Sequence, residues 1–237
     1  ATARHDAVAW GYAKEAAKRG VEIHQLTEVQ DFVVNRNQVT AVKTNRGNIE
    51  CGCVVQAVAG TSSLLMNKLK IRSPIQTFPL QAMVSQPFKP FLNPLVSSSA
   101  LHCYVQQTSR GEIVFGGGSD PYPLYNTRST LDLKESLLAH AIEMFPFMAN
   151  VKLMRQWAGM TDMTPDYSPI MGQSPYDNYY LDAGWGTWGF KATPICGKTM
   201  AELVATGRTP DLIKPFELSR FSRFQQVNEM GATAASH

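Results

Sequence analysis

Apolar residues Val8, Tyr12 and Ala16 recur four apart between Asp6 and Gly20. That period predicts a helix over residues 6–19, with Gly20 as its stop and Asp6 as N-cap, its carboxylate taking an early backbone N–H. The pattern then changes to short apolar runs separated by turn residues. Strands are expected at Val21 to Leu26, Val29 to Val34, Val39 to Thr44 and Ile49 to Val58, with turns at Asn35–Asn37 and Arg46-Gly47. Tight turns of this kind predict a three-stranded antiparallel series. The last run is nearly all apolar and ends in Ala59-Gly60, so burial on both of its faces is expected.

The pattern shifts at Ser73-Pro74. Further strands are expected at Leu80 to Gln86, Leu101 to Gln107 and Glu112 to Gly116, with a turn at Ser109–Gly111. Leu133, Leu137, His140, Ala141 and Met144 fall near one face of a helix over Leu131 to Phe145. Lys152 to Thr161 and Tyr179 to Ala183 read as strands. A final helix is expected from about Pro194 to Thr206, stopped by Gly207, and the tail from Arg208 is expected along the surface. The fold class is α/β (α+β). Three segments are expected: 1–72, 73–161 as a unit with a mostly antiparallel sheet, and 162–237 returning to the first.

Composition narrows the function classes. The 237 residues are 44% hydrophobic and 17% charged, an ordinary globular balance. The formal charge is +3 and no block of basic residues occurs, which argues against a nucleic-acid partner. No apolar run approaches the ~20 residues that span a bilayer. Ala1 to Asp6 resemble neither a signal nor a transit peptide, so a cytoplasmic location is expected. Cys51, Cys53, Cys103 and Cys196 lack the spacing of a zinc site and read as buried cytosolic thiols, with no metal and no disulfide assigned.

Two stretches could carry chemistry. Gly184-Trp185-Gly186-Thr187-Trp188-Gly189-Phe190-Lys191 lies between a strand and a helix. Its glycines let backbone approach a flat ligand, and the helix turns its positive end toward the loop. By the motif alone, a tight turn with packed tryptophans fits equally well. Thr164 to Gly172, with two prolines and a glycine, reads as an ordinary loop by turn chemistry.

The order of these stretches resembles the D-amino-acid oxidase superfamily of FAD-dependent oxidoreductases. Val39-Thr40-Ala41-Val42-Lys43-Thr44, Gly47-Asn48-Ile49-Glu50 and Val54 to Gly60 look like the second half of that family's FAD domain. Trp157-Ala158-Gly159 with Thr164-Pro165-Asp166 looks like its return from the substrate domain, and Gly184 to Lys191 like its last flavin contact. More narrowly, Thr2 to Tyr12 and Trp185 to Thr193 resemble the beta-subunit family of heterotetrameric sarcosine oxidases. The family's amino-terminal G-x-G-x-x-G fingerprint is absent, so the chain is expected to be a carboxyl-terminal part. Gly116-Gly117-Gly118 is followed by no helix pattern and does not replace it.

The resemblance implies non-covalent FAD, because no cysteine stands near Gln156 to Met160. It implies cofactor contacts at Val29, Ala59, Gly60, Gly184, Gly186, Thr187, Gly189 and Phe190. It implies a covalent FMN on His5, with Arg4 near its phosphate, and Lys191 holding the substrate carboxylate in the catalytic site. It also implies sarcosine or a related N-methyl amino acid as substrate, and alpha, gamma and delta partner subunits. The electron path implied runs from amine to FAD, to FMN, to oxygen. His24, His102, His140 and His237 are read as structural.

Overall fold

The computed structural model describes residues 3–227. Thr2 of the opening segment, and the tail past Val227 with His237, lie outside the described residues.

Helix α1 (His5–Lys18) starts one residue earlier than its spacing suggests. Arg4 holds the N-cap position without a side-chain capping bond, and Asp6 lies inside the first turn. The Asp6 carboxylate is not a cap because it takes the Arg4 guanidinium instead, at 2.7 Å. α1 buries no residue. The segment after it forms no strand, contrary to expectation: Val21 and Ile23 are half exposed and Leu26 is almost bare, with no ladder formed among the described residues. An apolar run without a neighbouring edge has nothing to pair its backbone with.

Strands β1 (Val29–Asn35), β2 (Gln38–Thr44) and β3 (Gly47–Glu50) form an antiparallel sheet in that order. Phe32 faces Val42, and Val42 faces Ile49. The run expected as one strand over 49–58 breaks here. β3 ends at Glu50, and β4 (Val54–Gln56) belongs to a different sheet. The Asn178 amide holds the crossing by donating to Val39 O at 2.7 Å and Gly52 O at 2.9 Å. Nor is this run buried on both faces. β4 pairs only with β11, at the sheet's edge, and Val55 and Val58 are exposed.

A single 3-10 turn (Ala59–Thr61) leads into a short helix α2 (Ser62–Lys68) that no periodicity announced. Next come β5 (Gln76–Pro87), β6 (Val96–Ser98), β7 (Cys103–Gln107), β8 (Glu112–Ser119), helix α3 (Leu131–Met144) and β9 (Leu153–Met163). The strands make one antiparallel sheet, ordered β6-β7-β8-β5-β9. α3 covers it by packing Leu137 and Ala141 with Met83, Val105, Ile113 and Phe115. Burying that stripe is the main source of the helix's stability, since fourteen residues are marginal alone.

The chain then returns to the sheet that holds β4. Strand β10 (Ile170–Gln173) emerges from what read as a loop, and runs antiparallel to β11 (Tyr179–Ala183). β11 lies parallel to β4, with Tyr179 facing Val54 and Leu181 facing Gln56. Below them is a core of Phe32, Val39, Met66, Tyr179 and Leu181. Phe32 meets Tyr179 edge to face, with centroids 5.4 Å apart. The buried Tyr179 hydroxyl donates to Gln56 Oε1 at 2.6 Å, and burial raises its pKa.

Helix α4 (Gly189–Thr206) starts five residues before Pro194, the expected beginning. Pro194 sits inside the helix and removes one backbone bond there, which a flanking helical run can tolerate. Gly207 ends the helix as expected, left-handed at φ 69°, its N–H donating to Leu203 O at 2.8 Å. The tail does not merely lie along the surface. Ile213 and Arg220 are both buried. Arg220 grips Asp166 with two bonds, Nε to Oδ2 at 2.8 Å and an Nη to Oδ1 at 2.9 Å. A third bond reaches Ser168 O at 2.8 Å.

Candidate cofactor and substrate site

Parallel strands β4 and β11 both end at one cavity of about 590 Å³. Its walls are Ala57 and Ala59 after β4, Met160, Thr161 and Asp162 of β9, Asp182 of β11, and Gly186, Thr187, Gly189 and Phe190 before and within α4. The crevice at the carboxyl ends of parallel strands is where α/β sheets bind ligands.

Close backbone contacts shape it. A Cβ on Gly60 would lie 2.4 Å from Met160 Cβ and 2.8 Å from Met160 O, so the turn after β4 sits directly on β9. Thr77 Oγ1 ties it down by donating to Gly60 O at 2.7 Å. In the loop, Gly184 has φ 74° and Gly186 φ 54°, conformations that other L residues adopt only under strain. A Cβ on Gly184 would meet Thr164 Cγ2 at 2.6 Å.

The electrostatics of the cavity combine a helix start with two carboxylates. α4 begins at the cavity wall with no side-chain capping bond, so its first-turn N–H groups and positive end face that region. Two carboxylates stand beside the loop, Asp162 buried and Asp182 half-buried. Asp162 accepts the Gly184 N–H at 2.6 Å and the Gly186 N–H at 3.2 Å. Asp182 accepts the Trp185 indole N–H at 2.6 Å. Burial pushes both carboxyls up, against the pull of these bonds. Cys196 also lies on the wall, its thiol pushed up to about 11 by burial and by Asp182.

Five of the residues expected at the cofactor line this cavity: Ala59, Gly186, Thr187, Gly189 and Phe190. Gly60 and Gly184 lie behind the wall, one under Met160 and one over Thr164. Val29 begins β1 and packs against the central core. Lys191 faces a second cavity of about 350 Å³ on the other side of Trp185, lined also by Tyr167, Trp188, Ile195 and Phe216. Its Nζ sits 4.1 Å over the Trp188 ring. Arg4 and His5 stand at the exposed start of α1, with Arg4 paired to Asp6. Sequence reasoning missed Ala57, Met160, Thr161, Asp162 and Asp182. One signal was available for Asp162, a lone carboxylate in a strand otherwise poor in charge toward its end.

Strand ends, glycine loop and open helix start thus meet at one cavity of an α/β fold. The family follows from comparison with known proteins. Residues 1–203 match the DAO family, FAD dependent oxidoreductase, and the chain belongs to it. It is 43% identical to sarcosine oxidase subunit beta of Rhodobacter capsulatus over 236 residues, covering 100% of this chain and 57% of that protein. It is 42% identical to sarcosine oxidase subunit beta of an Arthrobacter species, covering 99% of this chain and 58% of that protein. Among solved structures, L-proline dehydrogenase from P. horikoshii superposes with a TM-score of 0.83 at 30% identity, over 91% of this chain and 59% of that one. The chain thus spans a little over half the length of the curated relatives it matches. Among the described residues, no helix is long and apolar enough to cross a membrane.

Proposed function

We propose that this chain supplies the flavin-ring wall and the substrate sheet of a sarcosine-oxidising subunit. Residues 1–72 and 162–237 would form the cofactor half and residues 73–161 the substrate half. The reaction is oxidative demethylation of sarcosine to glycine and formaldehyde, with oxygen reduced to hydrogen peroxide. The observation that carries this reading is the cavity at the ends of β4 and β11, walled by Gly186, Gly189 and the start of α4. It occurs in a chain 43% identical along its whole length to a sarcosine oxidase beta subunit.

The residues present fit FAD. Glycines let the loop pack tightly against Met163, Thr164 and Trp185 beside the cavity, and the helix start offers N–H donors to an electron-rich ring edge. Bound there, FAD supplies the two-electron acceptor for the amine. The N–H groups of Gly189 and Phe190 favour negative charge developing beside them. Met160, Leu80 and Phe190 present apolar surface and exclude water. Lys191, in the first turn of α4, would hold the substrate carboxylate, for which its side chain must leave Trp188 and the neighbouring cavity that it lines here. The Cys196 thiol stays protonated near neutral pH, a poor nucleophile, in keeping with non-covalent FAD.

A second flavin, FMN, would attach to the exposed ring of His5 beside Arg4, with alpha, gamma and delta subunits completing a cytoplasmic heterotetramer. Denatured wild-type protein then retains flavin absorbance, and His5→Ala loses it while FAD remains extractable. This chain alone is expected to be inactive, so the test of the main reading is sarcosine with the flavin-loaded assembly, in which this chain is joined to the G-x-G-x-x-G segment. Stoichiometric formaldehyde and peroxide are expected. Flavin reduction by sarcosine without peroxide would move the reading to an amine dehydrogenase, which the likeness to L-proline dehydrogenase favours second. No reduction by any N-methyl amino acid would overturn it.

A further inference from the structure

The cavity wall holds a carboxylate to which nothing above gives a task. Asp162, near the end of β9, is 2% exposed. Its Oδ2 accepts the Gly184 N–H at 2.6 Å, and its Oδ1 accepts the Gly186 N–H at 3.2 Å. The Asp162 backbone carbonyl takes the Gly186 N–H as well, at 3.0 Å. Both side-chain oxygens act as acceptors, which is the pattern of the ionised form. No lysine or arginine forms an ion pair with it among the described residues, so backbone dipoles hold the charge.

These bonds join two elements 22 residues apart in sequence and fix a segment that would otherwise be loose. Two glycines in left-handed conformations cost more entropy to order than other residues do. A charge-assisted bond at each of them selects one loop geometry. The loop so fixed sets where Gly186 and Thr187 meet a bound ring and where α4 begins. The same carboxylate is itself part of the cavity wall. In a buried site, a fixed negative charge disfavours adding electrons to a nearby group.

We propose that Asp162 is a positioning residue for the cofactor: it locks the Gly184–Gly186 turn under the ring and, by its charge, lowers the ring's reduction potential. The proposal rests on the flavin reading above. It assigns two separable effects, one to the shape of the Asp162 side chain and one to its charge.

Two variants, made in a subunit that joins this chain to the G-x-G-x-x-G segment and is loaded with flavin, separate them. Asp162→Asn keeps the size, removes the charge and turns an N–H2 toward one glycine N–H. Asp162→Glu keeps the charge and displaces the oxygens by one methylene. Both should weaken flavin binding by about tenfold, the loss expected when a buried charge-assisted bond is broken. Only the Asn variant should shift the flavin midpoint potential upward; the Glu variant should stay near wild type. Flavin affinity is read by fluorescence titration of the apoprotein, and potential by dye-coupled reductive titration. Equal shifts of potential in both variants would show a merely structural role and overturn the proposal. So would wild-type affinity in both. If the Asn variant does not fold, wild-type flavin affinity in the Glu variant alone is enough to overturn it. A wild-type subunit that carries the G-x-G-x-x-G segment as well and still takes up no flavin overturns the cofactor reading and this proposal together. Wild-type protein that binds flavin, with variants that match it, overturns this proposal alone.

Discussion

Arg220 and Asp166 are each 2% exposed at the side chain, yet both are saturated with partners. Burial alone would raise the Asp166 carboxyl. The bonds from Arg220, Val227 N–H and Ser168 N–H outweigh it and hold the carboxyl below the ordinary range. A depressed folded value contributes stability that is complete above the unfolded value, about 3.9, and is lost as pH falls through the folded one. The stability gap between wild type and Asp166→Asn should therefore be constant near neutral pH and close below about pH 4, as read from thermal melts across pH. Arg220→Met leaves a buried carboxylate without its cation and should cost about 3–5 kcal/mol in urea unfolding. Ser62 is the opposite case. Its hydroxyl is buried without a hydrogen-bond partner among the described residues. Ser62→Ala should therefore lose no stability and gain up to about 1 kcal/mol. Lys191→Met keeps the apolar stem over Trp188 but removes the ammonium. It should weaken sarcosine binding and slow flavin reduction by on the order of 2 kcal/mol, with FAD content unchanged, measured by stopped flow.

The contact of the Gly60 turn with β9 governs the next scale. Gly60→Ala puts a methyl group into Met160 Cβ and backbone oxygen, neither of which can yield as a flexible side-chain tip would. A loss of about 1–3 kcal/mol is expected, typical of overpacking, together with poorer flavin retention, because Ala59 beside it forms the cavity wall. Elements were legible where the sequence carried its own punctuation. β1 and β2 follow from apolar runs split by the turn at Asn35–Asn37, and α3 from one buried stripe, whereas β3 is only the first part of the strand expected over 49–58. The break between β3 and β4 was not legible, since it is made by Asn178, 126 residues from Gly52. α2 has seven residues, too few to show a helical period. In the site, three glycines advertised the loop. The partner that fixes it, Asp162, showed only as the lone carboxylate of its strand, and its role came from the fold laying it beside Gly184. Lys191 lies over Trp188 in the neighbouring cavity, a placement hidden while the helix was expected to start only at Pro194.

For the molecule as a whole, the cavity is made where two sheets meet: β4 and β11 from one, β9 from the other, with α4 across them. Neither sheet forms it alone, so changes at the joint should affect cofactor retention before they affect either core. α1 has no part in this joint. It is fourteen residues long and buries none of them. A helix of that length, supported only by its own backbone bonds and surface pairs such as Glu15 with Lys18 and Arg19, is marginal in water. In hydrogen–deuterium exchange of this chain by itself, amides of Ala9 to Lys18 should take up deuterium within seconds, through local opening that leaves the rest folded. Amides of β5, paired on both sides by β8 and β9, should be among the last to exchange, at rates set by global unfolding.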